Sequence, residues 1–262
     1  MHAQQSNEAF SSSRAMDELL TFSPDLQLNC SVLKGKVALV TGASRGLGFA
    51  LCKALSELTE LKVYACARTE EGASRAQEQC GVQSKVLDVT SPHECEQVVA
   101  QILQDENRID VLVNMAGVTS HPRDEGRIEC TDASDIQDVV SVNCFGPYYL
   151  IRLLLPIMNR NRWGRIVNVS SEQASLCEMG ENIAPYKISK AGLNALTRVA
   201  AHETDRGVKV NSVAPGWCRT DMGGPDALRS IEQGVASVMW AVLLGEDGPN
   251  GGFYLDGKKL DW

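Results

Sequence analysis

At 262 residues, 44% hydrophobic and 22% charged, the chain is long enough for one well-buried core and leaves little room for large-scale disorder. Its 25 basic residues against 33 acidic ones give a net charge of −8, which repels phosphate backbones and anionic lipid surfaces, so neither nucleic acid nor membrane is an expected partner. Nine scattered cysteines without a C-x-x-C pair and four histidines without ligand spacing argue against a disulfide framework and against a metal site, and they point to a reducing, cytoplasmic setting.

Residues 1–33 are polar and serine-rich around Ser11-Ser12-Ser13, with weak periodicity, and read as a flexible leader. Glu8, Asp17, Glu18 and Asp25 oppose only Arg14, which fits neither a signal peptide nor a transit peptide. No apolar run approaches the roughly 18 residues needed to cross a bilayer. Residues 34–262 are expected to form a single domain. From Lys36 onward, short apolar β-type runs alternate with longer segments of helical period, the pattern of a parallel sheet covered on both faces. Strands are expected at 37–40, 62–67, 85–89, 110–116, 165–170, 209–214 and 252–255. Right-handed crossovers then give an α/β fold, a doubly wound parallel sheet of about seven strands. Leu47, Ala50, Leu51, Ala54 and Leu55 mark the buried stripe of one helix, and Ile188, Leu193, Leu196 and Val199 that of another. Ser230 and Gln233 form a capping-box signal for a helix running to Leu244.

The first strand runs into Thr41-Gly42-Ala43-Ser44-Arg45-Gly46-Leu47-Gly48, and a helix follows. A dinucleotide's pyrophosphate must come close to backbone N–H groups at a helix N-terminus, and a β-carbon at Gly42, Gly46 or Gly48 would obstruct the turn or that approach. Residues Gly42, Ser44, Arg45, Gly46, Leu47 and Gly48 are therefore expected to bind the cofactor, on a Rossmann-type sheet. The second strand ends in Ala67-Arg68, where NAD binding would call for an acidic residue. Arg68 and Arg45 can instead donate charge-assisted hydrogen bonds to a 2′-phosphate, which favours NADPH/NADP+.

Tyr186 and Lys190 stand at i and i+4 on an expected helix, so both side chains serve one small volume. A nearby ammonium stabilises the phenolate and draws the phenol toward a working pH. The fifth strand delivers Ser170-Ser171 to the carboxyl edge of the sheet, where a hydroxyl can polarise a carbonyl. Asn143 lies in a helical stretch for which asparagine is a poor former, which points to a hydrogen-bonding purpose.

Together these residues resemble the short-chain dehydrogenase/reductase family over nearly all of 36–262. The motifs are Thr41-Gly42-x-x-x-Gly46-x-Gly48, Asp88-Val89, Asn114-Met115-Ala116-Gly117, Asn143, Ser171, Tyr186-x-x-x-Lys190 and Pro215-Gly216-x-x-x-Thr220, in the family's order. The resemblance implies that Asp88 and Val89 hold the adenine, that Asn114, Ala116 and Gly117 wall the ribose, and that Pro215, Gly216 and Thr220 line the cofactor's far end. It implies that Ser171 orients the substrate oxygen, Tyr186 gives up its proton, Lys190 binds the nicotinamide ribose and Asn143 anchors a water relay. Met115 departs from the family's usual second asparagine, and Ser171 stands slightly further from Tyr186 than usual, with Ser170 as its competitor.

The segment from Thr220 to Trp262 resembles the carbonyl-reductase branch, which implies reduction of ketones, aldehydes or quinones to alcohols. A 3-oxoacyl thioester reductase and a non-catalytic NADPH-binding protein stand as alternatives. The expected partner is a small-molecule carbonyl substrate, with homo-oligomer and monomer both open. Only nine residues separate Thr220 from Ser230, so a shallow pocket is expected, walled by Val118 to His121, Gln173, Leu176, Met179, Trp217 and Met222.

Overall fold

The computed structural model describes residues 10–23, 30–57, 60–120 and 125–262. Seven parallel strands, β1 (Val37–Thr41), β2 (Lys62–Ala67), β3 (Gln83–Val86), β4 (Val111–Asn114), β5 (Gly164–Val169), β6 (Val208–Val213) and β7 (Phe253–Leu255), are joined by an antiparallel β8 (Lys258–Lys259). Their order across the sheet is β3-β2-β1-β4-β5-β6-β7-β8. The chain therefore leaves the β3 edge and restarts beside β1 with β4, and this crossover places a crevice at the carboxyl ends of β1 and β4. The eighth strand exceeds the seven expected because Asp256 and Gly257, at φ 49° and 72°, close a two-residue hairpin.

Along β1 the side chains alternate between two cores. Ala38 and Val40 join the core under α2 (Gly46–Glu57), α3 (Glu70–Cys80) and α8 (Ile231–Val242), while Val37 and Leu39 join the one under α4 (Pro92–Glu106) and α6 (Gly146–Arg160). All five residues of β1 and all six of β5 are buried; β1 reads as a nearly unbroken apolar run, whereas β5 carries the buried Arg165 and Asn168 within its apolar residues. β3 is the edge strand, with Gln83, Ser84 and Lys85 in it, so its start was invisible to an apolar search and Asp88 and Val89 fall in the loop beyond it. α5 (Ala133–Val140) runs into α6 through a π-helical turn at Ser141–Phe145 and packs beside α7 (Ala184–His202). The Ser230–Gln233 capping box is formed as expected.

Ile188 and Val199, expected in the buried stripe of α7, are exposed; the buried face runs instead through Ser189, Leu193, Thr197 and Ala200. Two further sequence expectations are corrected here. Within the expected flexible leader, α1 (Ser12–Phe22) is a helix lying on α8, with Ala15 and Leu19 fully buried. Ala15, Leu19 and Phe22 stand at i, i+4 and i+7, a stripe obscured by the surrounding serines and acids, and Ser11 caps the helix by accepting from the Arg14 N–H. Cys30–Leu33, also within that leader, is a short 3-10 helix with Leu33 fully buried, and residues 1–9 and 24–29 lie outside the described residues. Leu19→Ala is expected to cost about 2–4 kcal/mol, read as a lower urea midpoint; an unchanged midpoint would mean that α1 is not docked. The second correction concerns apolar length. The helical run Ala133–Arg160 is long and apolar enough to cross a membrane, yet its Leu150, Leu154 and Met158 face is buried in the core beside α4 and β5.

Candidate active site

Strand β1 ends at Thr41, whose hydroxyl accepts from the backbone N–H groups of Met115 and Ala116, both at 3.1 Å. The ends of β1 and β4 are thereby stapled together, and the glycine loop turns tightly over the staple. Gly42 sits at φ +67°, and a β-carbon there would lie 2.7 Å from Ala116 Cα. One on Gly48 would lie 2.3 Å from the Gly42 carbonyl oxygen. α2 then starts at Gly46 with no acidic residue in its first turn, so the positive end of the helix meets no carboxylate of its own. Ser44 is seated against α3: a β-carbon on Gly72 would touch its Cβ at 2.8 Å.

Arg68 follows β2 directly and is exposed. Arg45 pairs with Asp221 at 3.2 Å, both side chains 72% exposed, so the phosphate loop is bridged to the loop after β6. Such an exposed pair is worth about 0–1 kcal/mol and yields readily to a doubly charged anion. Asp88 is fixed from two sides: its N–H donates to Glu94 Oε2, and its Oδ1 accepts from the Thr90 N–H and hydroxyl. Val89 is buried against Gly146, where a β-carbon would lie 2.8 Å from Val89 Cγ2.

Asn114, at the end of β4, donates to Asn168 Oδ1 at 2.8 Å, while its own Oδ1 is buried without a partner among the described residues. Ala116 and Gly117 follow on the crevice floor. Asn143, fully buried in the π-helical turn, grips the Val118 backbone in both directions, accepting its N–H and donating to its carbonyl, each at 2.9 Å. The second amide hydrogen goes to Ser189 Oγ. A π turn adds one residue to a helical turn and so re-aims a side chain, and Asn143 is the residue aimed. A β-carbon on Gly117 would lie 3.4 Å from Asn143 Oδ1 and 3.5 Å from Lys190 Nζ, so this one position is kept free between them.

Beyond the fifth strand the two serines face different surroundings. Ser170 turns inward, 2% exposed, its hydroxyl without a partner among the described residues, whereas Ser171 is half-buried at the sheet edge and caps the turn Glu172–Ala174 by accepting from the Gln173 N–H. Tyr186 sits half-buried in the first turn of α7. Lys190, 4% exposed, donates to the Val169 carbonyl at 2.7 Å, and its Nζ stands 5.7 Å from the Tyr186 ring centre. Burial pushes its ammonium down to about 8. Just ahead of Tyr186, Asn182 and Ile183 take φ 64° and 44°, a strained conformation for a β-branched residue. Backbone bonds from Ile183 to Glu125 and from Ala184 to Gly126 hold it, and Lys187 braces the carbonyls of Gly180 and Glu181.

The far wall follows β6. Pro215 is buried, Gly216 turns at φ +76°, and the Thr220 methyl faces Gly46, with 3.6 Å to a β-carbon built there. All the expected site residues thus gather along the carboxyl edge of one sheet. The expected pocket walls do not gather so well. Leu176 lines a depression of about 220 Å³ with Asn194, Arg198 and Trp262, and Met179 lines another of about 310 Å³ with Arg127, Ile128 and Lys187. Neither depression is lined by Ser171 or Tyr186, and His121 lies outside the described residues. The sequence reading missed Val118 as the group that Asn143 holds and Asp221 as the partner of Arg45; no spacing signal marks either.

Residues 36–229 match the family model described as short chain dehydrogenase. Among curated proteins, the chain is 38% identical over 193 residues to the 3-oxoacyl-[acyl-carrier-protein] reductase FabG of Vibrio cholerae, covering 72% of this chain and 76% of that protein. The Escherichia coli FabG is 35% identical over 192 residues, with the same coverage. Among solved structures, carbonyl reductase Sniffer of D. melanogaster superposes with a TM-score of 0.79 at 25% identity, covering 87% of this chain and 100% of that one. NAD+-bound xylitol dehydrogenase superposes at 0.64 with 27% identity and 72% coverage of each chain. With this edge of the sheet and these relatives, the chain belongs to the short-chain dehydrogenase family and is an oxidoreductase acting on CH–OH or C=O groups.

Proposed function

We propose that the protein is an NADPH-dependent reductase of ketones, aldehydes and quinones, working in the cytoplasm. The observation that carries this reading is Lys190, tied to the Val169 carbonyl two residues before Ser171 and 5.7 Å from the Tyr186 ring, on the same sheet edge as a glycine cradle that a β-carbon on Gly42 or Gly48 would fill. The residues fit a dinucleotide. Gly42, Ser44, Arg45, Gly46, Leu47 and Gly48 would receive its pyrophosphate, Arg68 and Arg45 a 2′-phosphate, and Asp88 and Val89 the adenine. Asn114, Ala116, Gly117, Tyr186 and Lys190 would flank the ribose toward the nicotinamide, which Pro215, Gly216 and Thr220 would border. Bound there, a reduced nicotinamide supplies a hydride to the carbonyl carbon.

The chain's own part is proton transfer and electrostatics. Tyr186 protonates the carbonyl oxygen as negative charge develops on it, and the Ser171 hydroxyl donates a second hydrogen bond there. Lys190 stays an ammonium at neutral pH and stabilises the phenolate left behind. The Asn143 amide is already spent on Val118 and Ser189, so its side chain holds the floor beneath Lys190, and a relay of protons would need its main chain. The pH dependence follows from the lowered Lys190 value: reduction should be steady below about pH 7, pass through half its value near pH 8 and fall further above it as the ammonium loses its proton. A pH profile of kcat tests this, and a rate that climbs through pH 9 contradicts it.

NADPH consumption across simple ketones, aldehydes and quinones, with NADH as control, tests the main reading. Reduction of acyl-carrier thioesters in preference to all of these would favour the second reading, a 3-oxoacyl thioester reductase, which the 38% identity to the Vibrio cholerae enzyme supports. Tight NADPH binding with no turnover anywhere in the panel would leave a nucleotide-binding protein.

A further inference from the structure

The turn Pro215-Gly216-Trp217 leads a loop that returns to its own base. The Arg229 N–H donates to the Trp217 carbonyl at 2.9 Å, and the Arg219 N–H donates to the Arg229 carbonyl at 3.0 Å. The Arg229 side chain then runs back under the turn. A β-carbon on Gly216 would lie 2.2 Å from Arg229 Cδ, so the arginine stem occupies the space that any other residue at 216 would need.

Beyond the stem, the guanidinium is clamped. It donates two parallel bonds of 2.7 Å to the two oxygens of Asp256, and a third of 3.0 Å to the Gln233 carbonyl, with both charged side chains about four-fifths buried. Asp256 is itself held in its left-handed conformation, its N–H donating to Ser237 Oγ, whose hydroxyl donates to the Ala214 carbonyl immediately before the turn. A closed circuit therefore runs from Ala214 through Ser237, Asp256 and Arg229 back to Gly216. A bidentate, largely buried pair fixes direction as well as distance, which a lysine could not do.

We infer that Arg229 is a positioning residue that, braced by Asp256, sets the Pro215-Gly216-Trp217 turn against the reacting end of the cofactor. This rests on the reductase reading for what the turn meets, though not for the circuit itself. Arg229→Met keeps an unbranched stem beneath Gly216 and removes the fork, and Asp256→Asn removes the charge from the other side.

In the cofactor-free protein, the backbone amides of Arg219 and Arg229 should exchange with solvent about tenfold faster in both variants. With NADPH and a carbonyl substrate, kcat should fall about tenfold or more while the NADPH Kd stays within about threefold, and the emission of bound NADPH should shift, since small misplacement at the reacting centre is costly. Unchanged exchange overturns the inference. So does faster exchange with kcat and emission like the unmutated protein's, and so does a loss of turnover that only follows the fall in Tm. An unmutated protein that binds no NADPH and reduces nothing sinks the reductase reading instead, while the exchange measurement, made without cofactor, still tests the circuit by itself.

Discussion

Tyr186→Phe should lower kcat by about 10²–10⁴-fold while leaving NADPH affinity and thermal stability close to those of the unmutated protein. The change removes one oxygen and keeps the ring, which is half-buried in the first turn of α7, so packing changes little. What is lost is the proton. Neither water nor the Ser171 alcohol replaces it, because both are far weaker acids than a phenol. Lys190→Met, by contrast, should lower kcat and weaken NADPH together, because its ammonium is tied to the Val169 carbonyl and would also serve the ribose. NADPH consumption and fluorescence titration measured on the same preparations separate the two cases. A Tyr186→Phe variant that keeps a tenth of its activity would remove the phenol from the chemistry.

The sheet and the site were legible in the sequence to different depths, for physical reasons. Strands buried on both faces announce themselves, as β1 does with the apolar run Val37–Val40. Edge strands carry polar residues that solvent tolerates, so β3 begins two residues before the expected 85, and β8, two lysines, has no apolar pattern at all, although Asp256-Gly257 is a hairpin signal. α1 escaped because Ala15, Leu19 and Phe22 make a stripe too narrow to stand out among serines, and its burial depends on α8, more than 200 residues away. At the site, residues tied to backbone geometry were readable: glycines at positive φ, and a tyrosine and lysine one helical turn apart. The choice between Ser170 and Ser171 needed the pleat, which sends adjacent side chains to opposite faces. Pairings between loops, such as Arg45 with Asp221 and Arg229 with Asp256, leave no periodic trace, because charge complementarity across distant loops has no fixed spacing.

Gly48→Ala should be the most damaging single methyl in the phosphate loop, weakening NADPH by about 100-fold or more, roughly 2.7 kcal/mol, and lowering the urea midpoint as well. The added carbon would meet the Gly42 carbonyl oxygen at 2.3 Å, and Gly42 cannot retreat, because its own α-carbon faces Ala116 with only 2.7 Å available to a β-carbon. The strain therefore passes through two residues into the Thr41 staple that aligns β1 with β4. Gly46→Ala makes the informative contrast. Its nearest neighbour, the Thr220 methyl, is 3.6 Å away, so folding should lose only the cost of a left-handed alanine at φ +57°, about 1–2 kcal/mol. The same methyl nevertheless stands at the mouth of α2, where a pyrophosphate would approach, so affinity should fall by more than stability does. Fluorescence titration with NADPH beside urea unfolding reads both quantities for each variant. Wild-type affinity in Gly48→Ala would show that this loop is a tight turn with no phosphate to hold.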